Sequence, residues 1–229
     1  MIESLIEESR WLEALNPLTA WVPKAMPVVI ISPHPDDETL GAGGFIASRS
    51  SQGVDITVIA VTDGENAYPN SPGLGNARRN EQEQALECLG VPQAKILRLG
   101  LPDSSVEAHE PELIERLSRL VPENTYLVAP WSGDFHPDHQ SCGRAAEEVA
   151  RQNGADLISY FFWTWHLGGP NLLAGMNLYR LPLGEEQLRI KGRALAEHRS
   201  QLIRAEGEPI LPERLLAPAR RPFEVFALA

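Results

Sequence analysis

The chain has 229 residues, 43% of them apolar and 22% charged, which suits one large domain or a tight pair with a sizeable core. Twenty Lys and Arg against 31 Asp and Glu give a net charge of -11, and residues 1–115 hold 7 bases against 18 acids. An acidic chain without a Lys/Arg run argues against a nucleic-acid partner, whereas cations are welcome in its first half.

The opening segment MIESLIEESR carries acids from position 3, unlike a secretion signal. No stretch approaches the roughly 20 apolar residues that span a bilayer, so no transmembrane segment is expected. Cys88 and Cys142 both fall in helical segments, which argues against a disulfide framework and for a reducing, cytoplasmic setting. Ile2, Leu5, Ile6, Leu12 and Leu15 recur at helical spacing, and Pro17, Pro23 and Pro27 then impose an extended lead-in.

From residue 28 short apolar runs alternate with amphipathic stretches. The predicted strands are 28–31, 54–61, 94–99, 125–129 and 157–163, and helices are expected over 39–52, 77–90, 111–121 and 139–152. Continuous β-branched runs separated by helices indicate a parallel sheet buried on both faces. The expected fold is α/β, a three-layer α/β/α sandwich with a Rossmann-like, mostly parallel sheet. Beyond it, a strand over 176–183, a helix over 185–202 and a strand over 223–228 complete the chain. One domain over 1–229 is expected, with a lead-in (1–27), a motif-bearing core (28–155) and a C-terminal part (156–229) that completes the sheet and pocket.

Each conspicuous polar segment follows a strand: SPHPDDE (32–38), TDGEN (62–66), LGLPD (99–103) and WSGDFHPDH (131–139). In open parallel sheets ligands bind outside the carboxyl ends of the strands, so these segments should meet at one edge. His34 and Asp37 lie three apart in a turn stiffened by Pro33 and Pro35, and His136 and His139 lie three apart entering a helix. Two imidazoles and one carboxylate suit a catalytic zinc, which keeps its fourth position for water. One further candidate remains on each side, Asp36 and His136. A bound Zn2+ lowers its water's pKa toward about 7. Asp36 then suits a general base, a protonated His136 suits an oxyanion stabiliser, and Asp138 suits the partner orienting that imidazolium. Such a set describes amide or ester hydrolysis.

SPHPDDETLGAGG and DFHPDH resemble the two hallmark motifs of the LmbE-like (PIG-L-like) zinc-dependent N-acetylglucosaminyl de-N-acetylases. The resemblance runs from about residue 28 to 150 and includes TDGE, Arg78, Glu81, Ala85, Leu89, Gly90 and Val91, then thins to Lys191 and the His198–Gln201 helix end. It implies zinc on His34, Asp37 and His139, Fe2+ being another divalent option, with Asp36 as base and His136 polarising the carbonyl. It also implies substrate contacts from Arg78 and Asp103. Trp163, Trp165 and His166 stand in an aromatic, Gly-flanked stretch suited to a sugar platform. Of these, His166 is taken as substrate-binding and the tryptophans as core. The expected substrate is a small N-acetylated amino sugar or glycoconjugate, with the oligomeric state, homo-oligomer included, left open. Where some amino-sugar deacetylases carry a Tyr two residues before the histidine, this chain has Asp134.

Competing readings are a 2-His-1-carboxylate Fe(II) oxygenase, which has no evident use for Asp36 and His136, and a non-catalytic glycoconjugate-binding member. A dinucleotide-binding module is a third, but Ile46 stands where GxGxxG needs its last glycine.

Overall fold

The computed structural model describes residues 4–204 and 207–229, which leaves Ile2 outside the described residues. Its strands are β1 (Val28–Ser32), β2 (Ile56–Ala60), β3 (Ile96–Arg98), β4 (Tyr126–Pro130), β5 (Asp156–Tyr160), β6 (Leu178–Pro182) and β7 (Phe223–Leu228). They form one seven-stranded sheet in the order β3-β2-β1-β4-β5-β7-β6. Neighbours from β3 to β5 are parallel, and β7 alone runs against its neighbours β5 and β6. The expected mostly parallel α/β sheet is therefore present.

Alternation along the strands divides the core into two layers. Val28, Ile30, Val58, Tyr126 and Val128 face one side, where they pack with Phe45 and Ile46 of α2 (Asp37–Ser51) and Leu86 of α3 (Leu74–Cys88). Val29, Ile31, Ile59 and Leu127 face the other, against Leu113 and Leu117 of α4 (Glu110–Leu120) and Cys142 and Val149 of α5 (Pro137–Asn153). Both strand faces are covered, which is why the strands read as unbroken apolar runs. The glycines of α2 serve close packing: a Cβ at Gly41 would stand 2.3 Å from the Tyr160 ring. The opening helix α1 (Glu8–Leu15) buries Trp11 and Leu15 against Phe161, Trp165 and Phe223.

Two elements depart from the sequence reading. The strand expected through residue 163 stops at Tyr160, and Trp163–Leu167 forms a short helix, α6. Asp134 captures that helix start, its Oδ1 accepting from the Thr164 N–H and hydroxyl at 2.6 Å and its Oδ2 from the Trp163 N–H at 3.1 Å. The helix expected over 185–202 divides at His198 (φ -76°, ψ 54°) into α7 (Glu185–Glu197) and α8 (Arg199–Leu202). The break turns α8 across the carboxyl end of the sheet, where Gln201 reaches Pro35.

The strand order reverses between β1 and β4, the neighbours from which the chain leaves in opposite directions along the sheet. A crevice forms at such a switch point, outside the strands' carboxyl ends. The segments after β1 and β4 are SPHPDDE and the one holding DFHPDH.

Candidate metal centre and its cavity

The HPDD turn after β1 and the helix start after β4 place His34, Asp37 and His139 together. His34 Nδ1 lies 3.1 Å and His139 Nε2 3.2 Å from the same atom, Asp37 Oδ2. The remaining ring nitrogens each meet another carboxylate: His34 Nε2 is 3.0 Å from Asp138 Oδ2 and 3.3 Å from Asp103 Oδ1, and His139 Nδ1 is 2.8 Å from Asp134 Oδ2. Ligating imidazoles characteristically donate their second N–H to a carboxylate, which fixes the tautomer and aims the free nitrogen. His139 Nε2 is buried without a hydrogen bond, although Asp37 is within ion-pair range. An unmet imidazole nitrogen aimed at a carboxylate fits a cation held between them, and the N2O donor set suits zinc or a similar divalent ion. Among the described residues, the groups whose donor atoms all lie within 4.8 Å of one another are His34, His136 and His139, and His34, Asp103 and Asp138. The second grouping uses the His34 nitrogen that already meets Asp138.

The electrostatics separate the two adjacent aspartates. Burial and the charge of Asp37 hold Asp36 well above the usual carboxylate range, with Arg78 only partly opposing. Burial also disfavours the Asp37 anion, but His139 and His34 overcome it and push its pKa well below. Burial opposes charge on His139 too, yet Asp37 and Asp134 raise it to about 9. Protons on the imidazoles thus balance the carboxylates, and a metal ion would have to displace them.

His136 caps α5 and its Nδ1 accepts the Asp138 N–H at 3.3 Å. Its pKa falls to about 4, from burial first and then from the charges of His34 and His139. These surroundings favour the neutral imidazole over the protonated one expected, and Asp138 turns its carboxylate to His34 and to the Ser104 and Val106 N–H groups instead of orienting His136.

These groups open on a cavity of about 270 Å³ lined by His34, Asp36, Asp37, Asp103 and His136 on its polar side and by Phe162, Trp163, Ile210 and Leu211 on its apolar side. Asp103 accepts the Asn66 N–H at 2.8 Å, and its pKa is drawn to about 2 as His34 and Asn66 outweigh burial. Trp163, read as core, lines the cavity with its ring 6.1 Å from that of His136 and nearly parallel to it. Trp165 is core, edge-on to Trp11 at 5.0 Å.

His166, expected to bind substrate, does not line this cavity: it is 1% exposed, packs against Phe162 and meets Ser4 Oγ at 2.9 Å. The helical turn of α6 sends it to the interior, where burial and Arg221 lower its pKa to about 4. Arg78 stands at the cavity wall but is only 3% exposed, donating to Gly64 O at 2.8 Å and to Gln201 Oε1 at 2.7 Å. A Cβ at Gly64 would lie 2.3 Å from this guanidinium, so that glycine admits it. The sequence reading gave Gln201 no role beyond the end of the resemblance and missed the role of Asp134 as the His139 partner. For Asp134 the signal was its place five residues before a candidate ligand; for Gln201 there was none beyond the HRSQ helix end.

The fold and this cluster define an α/β protein with a divalent-metal-competent centre at its switch point. The chain belongs to the PIG-L family, described as GlcNAc-PI de-N-acetylase, whose model matches residues 29–150. It is 29% identical over 130 residues to a probable N-acetyl-alpha-D-glucosaminyl L-malate deacetylase 2 of Bacillus cereus, covering 52% of this chain and 58% of that protein. It is 31% identical over 144 residues to a diacetylchitobiose deacetylase of Thermococcus kodakarensis, covering 58% and 54%. The matched part is thus less than two thirds of the length of these relatives. In fold it is similar to the N,N'-diacetylchitobiose deacetylase of Pyrococcus horikoshii, with a TM-score of 0.68 at 23% identity over 90% of this chain and 84% of that one.

Proposed function

We propose that the protein is a divalent-metal-dependent hydrolase that removes the N-acetyl group of an amino sugar or its glycoconjugate. The observation that carries this is the convergence of His34 Nδ1 and His139 Nε2 on Asp37 Oδ2 beside a second aspartate of opposite protonation preference. Environments that push two neighbouring carboxyls apart assign them different roles. Asp37 is the ligand with His34 and His139, and Asp36 exchanges protons. The relatives' names as deacetylases of N-acetylglucosamine derivatives support the substrate class.

When bound at these three residues, Zn2+ supplies Lewis acidity that acidifies water and polarises an acyl oxygen. Asp36 takes the proton of the attacking water, and its raised pKa strengthens it as a base while leaving it able to return that proton to the departing amine. His136, whose Nδ1 is occupied by the Asp138 N–H, carries its proton on Nε2 and donates a hydrogen bond to the developing oxyanion as a neutral imidazole. Asp103 holds sugar hydroxyls at the wall, and Trp163 offers an aromatic face to the ring. Arg78 is absorbed by protein carbonyls and Asp36, so no cation on the described wall is left for an anionic substrate group. Uncharged glycosides are therefore preferred over acidic or phosphorylated ones.

The test is primary-amine release from N-acetylglucosamine, N,N'-diacetylchitobiose and N-acetylglucosaminyl malate on zinc-loaded and chelated protein. Chelator-sensitive release, with the two neutral sugars ahead of the malate conjugate, is expected. Metal-loaded protein inert toward all three would overturn the proposed activity, and a preference for the malate conjugate would overturn the charge selection alone.

A further inference from the structure

Asp36 has φ 148° and ψ -27°, a backbone conformation that a residue with a Cβ rarely adopts. Such a residue persists only where its surroundings over-determine it. The torsion is set by the peptide plane between Pro35 and Asp36, and both ends of that plane are tied. The Pro35 carbonyl accepts from Gln201 Nε2 at 2.5 Å and from Arg78 Nη2 at 3.5 Å, while the Asp36 N–H points at Glu38 Oε2 at 3.4 Å. On the other side of the residue, the Asp36 carbonyl accepts from the Thr39 and Leu40 N–H groups at 2.9 and 2.8 Å.

Gln201 is the centre of this arrangement. It is fully buried, its Oε1 accepts Arg78 Nη2 at 2.7 Å, and the same Arg78 nitrogen is 3.9 Å from Asp36 Oδ1. One amide therefore holds both the peptide that orients Asp36 and the cation facing its carboxylate. The main chain of Gln201 also accepts the N–H of Leu211, a cavity-wall residue, at 2.9 Å. Gln201 itself does not line the cavity.

We infer that Gln201, from the C-terminal helix α8 outside the family-matched segment, is a positioning residue that clamps the Pro35–Asp36 peptide and so aims the Asp36 carboxylate. This rests on the reading of Asp36 as the proton-exchanging group, since only then does its aim enter the rate. Displacements near 1 Å from the reactive geometry cost up to about a hundredfold in rate.

The test takes Gln201→Leu, which removes the side-chain hydrogen bonds to Pro35, Arg78 and His198, and Gln201→Glu, which keeps an acceptor for Arg78 but offers the Pro35 carbonyl no donor. In zinc-loaded protein, kcat for primary-amine release from N-acetylglucosamine is expected to fall about ten- to hundredfold in each, with KM and one metal per chain retained. A crystal structure of either variant should show Asp36 out of its positive-φ conformation with His34, Asp37 and His139 in place. A purely structural role would lower the melting temperature and leave kcat per metal-loaded chain at the wild-type value. That outcome, or Asp36 unmoved in the variant, overturns the inference. If Gln201→Leu does not fold, Gln201→Glu is read on the same criteria. Inactive wild-type protein would sink the proposed hydrolysis, whereas the variant structure still decides the clamp.

Discussion

The segments before and after Asn153 divide the labour of the site. The earlier one carries every candidate ligand and proton-exchanging group, each a step beyond a strand end: His34, Asp36 and Asp37 after β1, Asp103 after β3, His136 and His139 after β4. The described residues of the later one supply no candidate ligand. It contributes Phe162, Trp163, Ile210 and Leu211 to the cavity wall, and Gln201 and His198 behind the HPDD turn. Chemistry and its framing thus come from different stretches of chain. Changes in the first should abolish or cripple turnover, and changes in the second should degrade its precision, its selectivity or the stability of the protein.

The largest effect is expected for Asp37→Ala or His139→Ala, which should empty the metal position and abolish turnover. Metal analysis after gel filtration checks it, and full occupancy in either variant would remove that residue from the ligand set. Next is Asp36→Asn, expected to keep the metal and lower kcat by about 10²–10⁴-fold. Near-normal kcat there would move the proton exchange elsewhere. Asp134→Asn sharpens the comparison, because Asp134 sits in the first segment but also holds the α6 start of the second. Loss of its charge from His139 Nδ1 should weaken metal binding about 10–100-fold. A competition titration against a chelator reads this, and unchanged affinity would show that the carboxylate serves only the Trp163 and Thr164 backbone.

The division also explains what the sequence disclosed. The central strands β1, β2 and β4 were legible because their unbroken apolar runs report burial on both faces, and the site was legible where chemistry demands rare residue types at short spacing, as in HPDD and HPDH. The parts that stayed hidden depend on packing. Asp138 was assigned to His136 because the two are near in sequence, but the start of α5 turns its carboxylate toward His34 on another segment. His166 was placed beside substrate because it stands in an aromatic, Gly-flanked stretch, and the helical turn that Asp134 nucleates sends it inward while presenting Trp163 to the cavity. Arg78 lies at the wall as expected, yet it is buried and its Nη groups donate to Gly64 and Gln201. No local pattern around residue 201 could show that its amide meets Pro35 across the molecule.

The smallest effect concerns stability and centres on a residue of the later segment. His198 is fully buried with its Nε2 3.2 Å from Thr39 Oγ1, and burial, then the charge of Arg78, lowers its pKa to about 3. In the unfolded chain it titrates near 6.5, so between about pH 6.5 and 3 the unfolded state binds a proton that the folded state refuses. The stabilisation is intact above that window and is lost as pH falls through it, by up to about 1.4 kcal/mol per pH unit for one group. His166, at about 4, acts in the same direction over most of the range. Replacing His198 with Gln keeps a hydrogen-bonding amide near Thr39 and removes the titration. Urea unfolding of chelated wild type and His198→Gln at pH 7, 6 and 5 should give a variant whose stability falls less steeply with acid. The metal-site histidines contribute equally to both proteins, so the difference isolates His198. Parallel slopes would mean that His198 takes up its proton in the folded protein as readily as in the unfolded chain, and that the space behind the HPDD turn is open to water.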